Sequence, residues 1–368
     1  MSERNEKLLQ GIARDAPLIE IGPSFNPVAP RSEGWQVTII DHASQAELVA
    51  KYSGGAVDTS RIEPVDFVWA GGPLHEVVPV ARHGSYEAMI ACHVIEHLPD
   101  LIGFLRSAER LLDPAKGTLL LAVPDKRLCF DFFRPPSTTG QFVEAHRAGR
   151  GMHSPRALFD HVAYSATDGG RAGWGRAPLA ELRLEHSLEQ AVEQMELATA
   201  GKDYIDCHGW QFTPASFELL VLEFGELGLT DWRVDWVEPR PAVEFFARLV
   251  RGRESFASTA VREARRLDLL RRIVLEQREQ IDLLVGPSAG ASAPPAPPAP
   301  GGDRLGAIEA KLRHLQEAQL PAIAAELGAT RAALAPVRDL LEELRPMGAA
   351  MTAMLPVRRA IARMRGRI

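Results

Sequence analysis

Short apolar runs alternate with helix-like stretches in the part of the chain before Gly252. The runs PLIEIG, WQVTIID, YEAMIAC and GTLLLAVP have the length and apolar content of buried strands. LIGFLRSAERLL and ASFELLVLEFGELGL have helical spacing, and the second precedes two further strand-like runs, DWRVDWVEP and VEFFARLV. Strands separated by crossover helices predict a parallel sheet with helices on both faces, and therefore an α/β fold.

The stretch from Phe130 to Trp210 interrupts this alternation. It follows GTLLLAVP, is weakly periodic, and is rich in His, Asp, Gly and Arg. Five of the eleven histidines lie between His146 and His208, so polar chemistry is concentrated here. We interpret this stretch as an insertion after the fifth strand that lies over the carboxyl edge of the sheet.

Two segments follow the α/β region. Residues 286–303, GPSAGASAPPAPPAPGGD, predict a linker, because prolines and glycines prevent helix and the small side chains offer nothing to bury. Residues 253–285 lack proline and glycine and predict a long, exposed helix. Its apolar stripe, at three- and four-residue spacing, consists of Leu267, Leu270, Val274, Ile281 and Leu284.

The last segment, residues 304–368, repeats apolar residues with the spacing of a coiled coil or a helical hairpin, which could join copies of the chain into a homo-oligomer. Prolines interrupt the pattern and favour several short helices over one rod. The final LPVRRAIARMRGRI carries five arginines and no acid. It predicts either a peripheral contact with an anionic membrane or an acidic partner, or a solvated helix end whose arginines suit the helix dipole.

The net charge and the cysteine content argue against several classes of partner and site. The net charge of -6 argues against nucleic acid as a partner, because such affinity comes largely from basic side chains. Cys92, Cys129 and Cys207 are too few for a disulfide framework and lack the CxxC spacing of a zinc site. The N-terminus has no apolar signal region and no apolar run approaches the ~20 residues of a membrane span, so we expect a cytoplasmic protein, with the basic tail as a peripheral contact to the inner membrane.

The first strand and its turn, LIEIGPSFNP, carry the main chemical signal. In a doubly wound sheet, ligands bind where the first strand turns into its helix. Gly22 lets backbone approach a ligand, the Glu20 carboxylate can accept a hydrogen bond from an ammonium group, and Asp41 ends the second strand where it can accept ribose hydroxyls. A nicotinamide site is disfavoured because the turn lacks the second glycine of GxGxxG, and no P-loop motif is present.

These motifs, with IDH, HVIEHLPD and VPDKR, resemble class I S-adenosylmethionine-dependent methyltransferases over about residues 15 to 250. The nearest group is bacterial and associated with glycan and polysaccharide assembly. The resemblance implies a Rossmann-like methyltransferase domain over residues 1–252, S-adenosylmethionine as the cofactor, and methylation of a sugar hydroxyl on a glycan or sugar-linked acceptor. The implied cofactor-binding residues are Glu20, Gly22, Pro23, Ser24, Asp41, His42, Leu74, His93, Glu96 and His97.

Each of these residues has an implied place. Glu20 and Gly22 would contact the methionine part, Asp41 the ribose and Leu74 the adenine. His93 would lie near the sulfonium, with Glu96 and His97 at the start of the following helix. The turn departs from the family pattern because Ser24 and Asn26 stand where further glycines are usual; Asn tolerates the left-handed conformation, so binding stays plausible.

Methyl transfer to a hydroxyl often needs a base, whereas transfer to an amine may need only positioning. Asp125 follows the fifth strand and is expected to point toward the cofactor site. His161 and His208 each lie near an aspartate in the sequence, so either could be a base with a fixed tautomer. A structural polar network in the insertion is the alternative for all three.

Three further alternatives stay open at this level. A divalent metal bound by Asp and His is one, but no H-x-x-x-H or paired acidic spacing supports it, so no metal ligand is predicted. A methyltransferase for another small molecule, such as an amine, a quinone or a polyketide, is the second. The third is a non-catalytic scaffold that keeps the methyltransferase fold and binds partners through residues 304–368.

Overall fold

The computed structural model describes residues 2–55, 57–201 and 203–286. The chain divides into two compact units, residues 1–291 and residues 292–368. The linker beyond Gly286, the helical region with its basic tail, and the oligomer and membrane contacts predicted for them lie outside the described residues. The first unit contains everything that follows.

A seven-stranded sheet forms the centre of this unit, and the prediction of an α/β Rossmann-like methyltransferase fold is confirmed. Its strands are β1 Leu18–Ile21, β2 Val37–Asp41, β3 Phe67–Val68, β4 Ala88–Cys92, β5 Thr118–Pro124, β8 Trp232–Pro239 and β9 Glu244–Arg251. They follow the order β3-β2-β1-β4-β5-β9-β8 across the sheet. The first strand therefore lies inside the sheet, next to the fourth, where the strand order reverses and a ligand crevice opens.

One strand runs against the direction that the sequence pattern implied. β9 pairs antiparallel with both β5 and β8, while β1 to β5 pair in parallel. Only residues 240–243 separate β8 from β9, which is too short for the crossover that a parallel pair requires. The reversal brings Glu244, at the start of β9, opposite Pro124, at the carboxyl end of β5.

Helices cover both faces of the sheet, so neighbouring residues of one strand enter different cores. In β5, Leu119, Leu121 and Val123 join one hydrophobic cluster, and Leu120 and Ala122 join the other. Burial on both faces explains why the strands are continuous apolar runs rather than alternating ones. The helices of this part are α1 Glu3–Leu8, α2 Gln45–Tyr52, α3 Leu101–Leu111 and α7 Pro214–Glu226.

The insertion is more regular than its weak periodicity predicted. Ser154 caps one of its helices ahead of a proline at the first helical position, and Ser187 forms a capping box with Gln190 at another. These short cap signals mark helix starts even where the apolar spacing is poor. The insertion contains α4 Thr139–Arg147, α5 Pro155–Ala163, α6 Leu188–Ala200 and a two-stranded sheet of β6 Ala166–Asp168 with β7 Leu182–Leu184.

A 27-residue helix, α8, spans Thr259–Val285 and packs along α7. Leu269 is fully buried between Leu219 and Leu222 of α7. Ion pairs supplement this small apolar contact. Arg265 and Arg272 of α8 both pair with Glu218 of α7. The stripe predicted from the sequence does not make the contact: Leu267, Leu270, Val274, Ile281 and Leu284 are all exposed.

No helix within the described ranges is both long enough and apolar enough to cross a membrane.

The packing of α8 can be tested with two neighbouring leucines. We expect Leu269→Ala to cost about 2–4 kcal/mol, because it removes the one fully buried apolar side chain that α8 contributes. Leu270→Ala, on the exposed face, should change stability by less than about 0.5 kcal/mol. Amide hydrogen exchange of α8, together with denaturant unfolding, measures both effects. Equal protection in the two variants would contradict the packing described here.

Candidate active site

The carboxyl ends of β1 and β4 carry unusual backbone. Ser24 and His93 are the two residues other than glycine with positive φ among those that the structure describes, at 48° and 53°. Gly22 also has positive φ, at 61°, and a Cβ there would lie 3.6 Å from Val94. Such conformations cost free energy in residues with a side chain, and they cluster at functional sites. The β1 and β4 turns therefore meet at the expected ligand crevice.

Glu20 is buried beneath the loop that follows β1. Its carboxylate accepts the backbone N–H groups of Val28 at 2.6 Å and Ala29 at 3.1 Å, and the side chain is 2% exposed. Burial raises the pKa of Glu20 to about 7, although the two hydrogen bonds act in the opposite direction. Glu20 thus fixes the path of the loop.

Asp41 ends β2 beside the same loop. One carboxylate oxygen accepts the N–H of Ser24 at 3.0 Å, and the other accepts the N–H of His42 at 2.7 Å. The His42 ring also reaches that second oxygen, with Nδ1 at 2.7 Å, although half of the His42 side chain is exposed. The Ser24 hydroxyl is buried without a hydrogen-bond partner. The loop therefore keeps one unused polar group and one half-exposed ring next to Asp41.

Pro23 and Leu74 have roles in the fold, one in a turn and the other in the core. The Pro23 carbonyl accepts the N–H of Asn26 and closes a turn within the loop. Leu74 is 1% exposed and packs in the core at the start of a short 3-10 helix after β3. The resemblance implied that Leu74 borders the adenine, but in this geometry the Leu74 side chain has no exposed surface for that contact.

His93 belongs to a chain of charged groups that the sequence did not reveal. Its Nε2 lies 2.9 Å from Glu244 at the start of β9, and Glu244 also receives the guanidinium of Arg4 from α1 at 2.7 and 2.8 Å. Burial tends to raise the pKa of Glu244, but the hydrogen bonds from His93 and Arg4 lower it to about 2. Only the antiparallel placement of β9 brings Glu244 to this edge.

A buried carboxylate and three imidazoles meet just beyond β4. Glu96 is 1% exposed, and neither of its side-chain oxygens has a hydrogen-bond partner. One of these oxygens lies 3.6 Å from His93 Nδ1, 3.8 Å from His97 Nε2 and 3.9 Å from His208 Nε2. We call Glu96, His97 and His208 the EHH cluster. Its ligand-type atoms all lie within 4.8 Å of one another.

Each histidine of the EHH cluster has a carboxylate on its other ring nitrogen. His97 Nδ1 lies 2.9 Å from Asp206, and His208 Nδ1 lies 2.5 Å from Asp131. Burial tends to raise the pKa of both aspartates, but the hydrogen bonds from the histidines lower it below its ordinary range. Burial tends to lower the pKa of His97, yet the hydrogen bond that His97 donates to Asp206 raises it overall.

The backbone of residues 208–212 brings His208 to the sheet. The N–H groups of Gly209 and Trp210 both donate to the Glu96 carbonyl. Gly209 also lies close against the His153 ring, where a Cβ would be 2.7 Å from two ring atoms. Glycine is therefore required for this approach.

Asp125 and His161, the other two predicted catalytic residues, differ in their surroundings. Asp125 is fully buried and both of its oxygens accept hydrogen bonds from the Arg127 guanidinium, at 2.8 and 2.6 Å. This ion pair opposes the predicted role of Asp125 as a base. His161 lies on α5 with its ring 6.1 Å from that of His208, and its buried Nδ1 has no partner. Burial lowers the pKa of His161 to about 4.

The sequence thus named the residues that follow β4 but not their partners. Glu96, His97 and His208 do come together, although His208 was predicted only as a base. Glu244 was not predicted at the site, Asp131 was only one of many polar candidates in the insertion, and Asp206 was considered only as the aspartate that fixes the tautomer of His208. Asp206 and His208 are close in sequence, yet in the structure Asp206 contacts the Nδ1 of His97, and Asp131 contacts the Nδ1 of His208.

The family model described as a methyltransferase domain matches residues 2–197, just over half of the chain. The chain belongs to this family and is an S-adenosylmethionine-dependent methyltransferase. The match covers the loop after β1, the turn after β4 and most of the insertion, and it ends before His208. No curated protein matches the chain.

Solved structures resemble this chain only distantly. The methyltransferase CcbJ from Streptomyces caelestis is 12% identical, with 67% of this chain and 94% of that chain covered and a TM-score of 0.36. A Listeria monocytogenes protein named as an S-adenosylmethionine-dependent methyltransferase is 13% identical, with coverages of 68% and 96% and a TM-score of 0.35. A Rhodobacter sphaeroides protein named as a zinc-dependent alcohol dehydrogenase is also 13% identical, with coverages of 68% and 89% and a TM-score of 0.38.

The buried carboxylate of Glu20 should make stability depend on pH. Its folded-state pKa is raised, so its favourable contribution is complete below the unfolded value of about 4.5 and is lost as the pH rises through about 7. We expect the stability of the protein, relative to Glu20→Gln, to fall by about 3 kcal/mol over this range. Denaturant unfolding at a series of pH values measures the difference. Parallel curves for the two proteins would contradict the raised pKa.

Proposed function

We propose that this methyltransferase acts on a hydroxyl group of a polar small molecule, with a sugar of a glycan or of a sugar-linked intermediate as the acceptor class. The observation that carries the proposal is the EHH cluster with its two supporting aspartates. These groups gather beyond the carboxyl end of β4, whose turn meets the β1 turn at the ligand crevice. The sugar itself rests on the sequence resemblance and on the polar character of the insertion.

The chemistry of the cluster favours oxygen over nitrogen as the acceptor atom. A hydroxyl is a weak nucleophile until its proton is removed, whereas an amine can react by positioning alone. The EHH cluster contains a carboxylate and two imidazoles whose Nδ1 atoms already face carboxylates. It is therefore rich in groups that accept a proton and poor in groups that donate one.

The methyl transfer is a single displacement. When bound, S-adenosylmethionine supplies the methyl group on a sulfonium, and its product is S-adenosylhomocysteine. The acceptor oxygen forms the new bond to carbon as the carbon–sulfur bond breaks, and the hydroxyl proton is accepted at the EHH cluster. His208 and His97 hold the acceptor oxygen from the insertion side and the β4 side, respectively.

The residues after β1 and β2 fit the cofactor. Gly22 removes the Cβ where the turn approaches β4, and the buried Ser24 hydroxyl is free to bind a polar group of the ligand. Asp41 lies at the end of β2, where an acidic residue accepts ribose hydroxyls in nucleoside-binding sheets. We assign the ribose to Asp41, with the exposed His42 ring moving aside, and the methionine part to Gly22, Ser24 and His93.

The assignment of the ribose distinguishes two adjacent residues. Asp41→Ala should weaken binding of S-adenosylhomocysteine by about 10-fold or more, because hydrogen bonds to a charged group contribute about 1.5–3 kcal/mol. His42→Ala should keep affinity within about threefold of the parent protein or improve it, because the ring no longer competes for the carboxylate. Isothermal titration measures both. A larger loss for His42→Ala than for Asp41→Ala would overturn the assignment.

Methyl transfer from labelled S-adenosylmethionine to hydroxyl, amine and carboxylate acceptors tests the proposed activity. We expect transfer to sugar hydroxyls and a loss of about 100-fold or more in kcat/KM for His208→Gln, as for removal of a group that takes a proton. His186→Gln changes an exposed histidine of the insertion and serves as the matched control. Transfer only to amines, or equal activity of the two variants, would refute the proposal.

A further inference from the structure

We propose that Glu96, His97 and His208 bind a divalent transition-metal ion. The sequence shows no metal-ligand spacing here, because His208 is separated from the Glu96–His97 pair by α3, β5 and most of the insertion. The structure brings the three side chains together at the carboxyl end of β4. This group is the one set of potential ligands that the described part of the chain assembles.

The hydrogen bonds of the two histidines point away from the centre of the cluster. Asp206 and Asp131 are carboxylates and accept only, so the Nδ1 atoms of His97 and His208 carry the hydrogens of these bonds. The Nε2 atoms face the buried Glu96 carboxylate at 3.8 and 3.9 Å, and neither oxygen of Glu96 has a hydrogen-bond partner. A carboxylate and two ring nitrogens that converge in this way form an arrangement that a cation completes.

His93 extends the same pattern. Its Nε2 lies 2.9 Å from the carboxylate of Glu244, and its Nδ1 faces Glu96 at 3.6 Å. Carboxylates that orient metal-binding histidines in this way fix the tautomer and raise the basicity of the ring. Glu96 is thus surrounded by three imidazoles, each with its own carboxylate on the outer side.

The distances suit an ion better than a proton. A proton shared between Glu96 and an imidazole requires a separation below about 3.2 Å. The separations to His97 and His208 are 3.8 and 3.9 Å. Ligands about 2.1 Å from a tetrahedral ion lie about 3.4 Å apart. Both histidines would therefore move about half an ångström toward Glu96 and also toward each other, since the three ligand atoms lie within 4.8 Å of one another in this structure.

The ligand set selects the class of ion. Two imidazoles and one carboxylate suit zinc, iron, manganese or cobalt, whereas magnesium and calcium prefer oxygen ligands. Three protein ligands leave at least one coordination position open, as catalytic rather than structural sites do. The His97 side chain is 29% exposed, so the open position has access to solvent and to an acceptor.

The ion also deepens the proposed function. Bound to the open position, an acceptor hydroxyl would lose its proton to solvent more readily, and His97 and His208 would hold the ion instead of accepting that proton. This second part rests on the proposed methylation of a hydroxyl. The binding of the ion does not, since it follows from the side chains alone.

Direct binding measurements test the site without an activity assay. Full-length protein, freed of any affinity tag and stripped with EDTA, is titrated with Zn²⁺ by calorimetry and with Co²⁺ by visible absorption. We expect one equivalent to bind and Glu96→Gln, His97→Gln and His208→Gln to weaken binding at least 10-fold each. Asp131→Asn should weaken it by about 10- to 100-fold through the orientation of His208. His186→Gln should bind like the parent protein.

Several outcomes would overturn the site. Absence of stoichiometric binding by the folded parent protein is one, and equal binding by the His97 and His208 variants, with folding verified by circular dichroism, is another. A sulfur-to-cobalt charge-transfer band that disappears in Cys207→Ser would assign the ion to the neighbouring thiol instead. Stoichiometric binding without hydroxyl methylation would support the site and refute the proposed function. Equal methylation by stripped and reloaded protein would refute the role of the ion in the reaction.

Discussion

The hydrogen bonds that tie residues 209–212 to the ends of β4 and β5 are the constraint on which the candidate site depends. Gly209 and Trp210 donate to the carbonyl of Glu96, and Lys126 donates to the carbonyl of Phe212. These contacts are made by backbone atoms, so they fix the path of the segment directly. His208 and Asp206 reach the sheet because they immediately precede this fixed stretch.

The sheet was predictable and much of the site was not, for a physical reason. Strands buried on both faces leave continuous apolar runs, and Gly22 and Asp41 stand at fixed places relative to those runs. The partners of His97 and His208 leave no such mark, because a hydrogen bond between residues far apart in sequence has no periodicity. Glu244 is a further case, since its role depends on the reversal of β9.

Asp125 and Leu269 illustrate two ways in which sequence position misleads. Asp125 does follow the fifth strand, but Arg127, two residues on, occupies both of its oxygens. The stripe chosen on α8 has correct helical spacing, yet the helix turns a different side, with Leu269, toward α7. Spacing identifies a helix face, while neighbouring elements decide which face is covered, and ion pairs contribute much of that choice here.

The EHH cluster joins two parts of the chain that are far apart in sequence, the β4 turn and the end of the insertion. Any ligand that bridges them binds only when residues 208–212 are docked on the sheet. By mass action, its binding free energy then adds to the free energy that holds the insertion closed. Loading the cluster would therefore protect the insertion from local opening, and occupancy of a small polar site would govern the order of a stretch of about eighty residues around it.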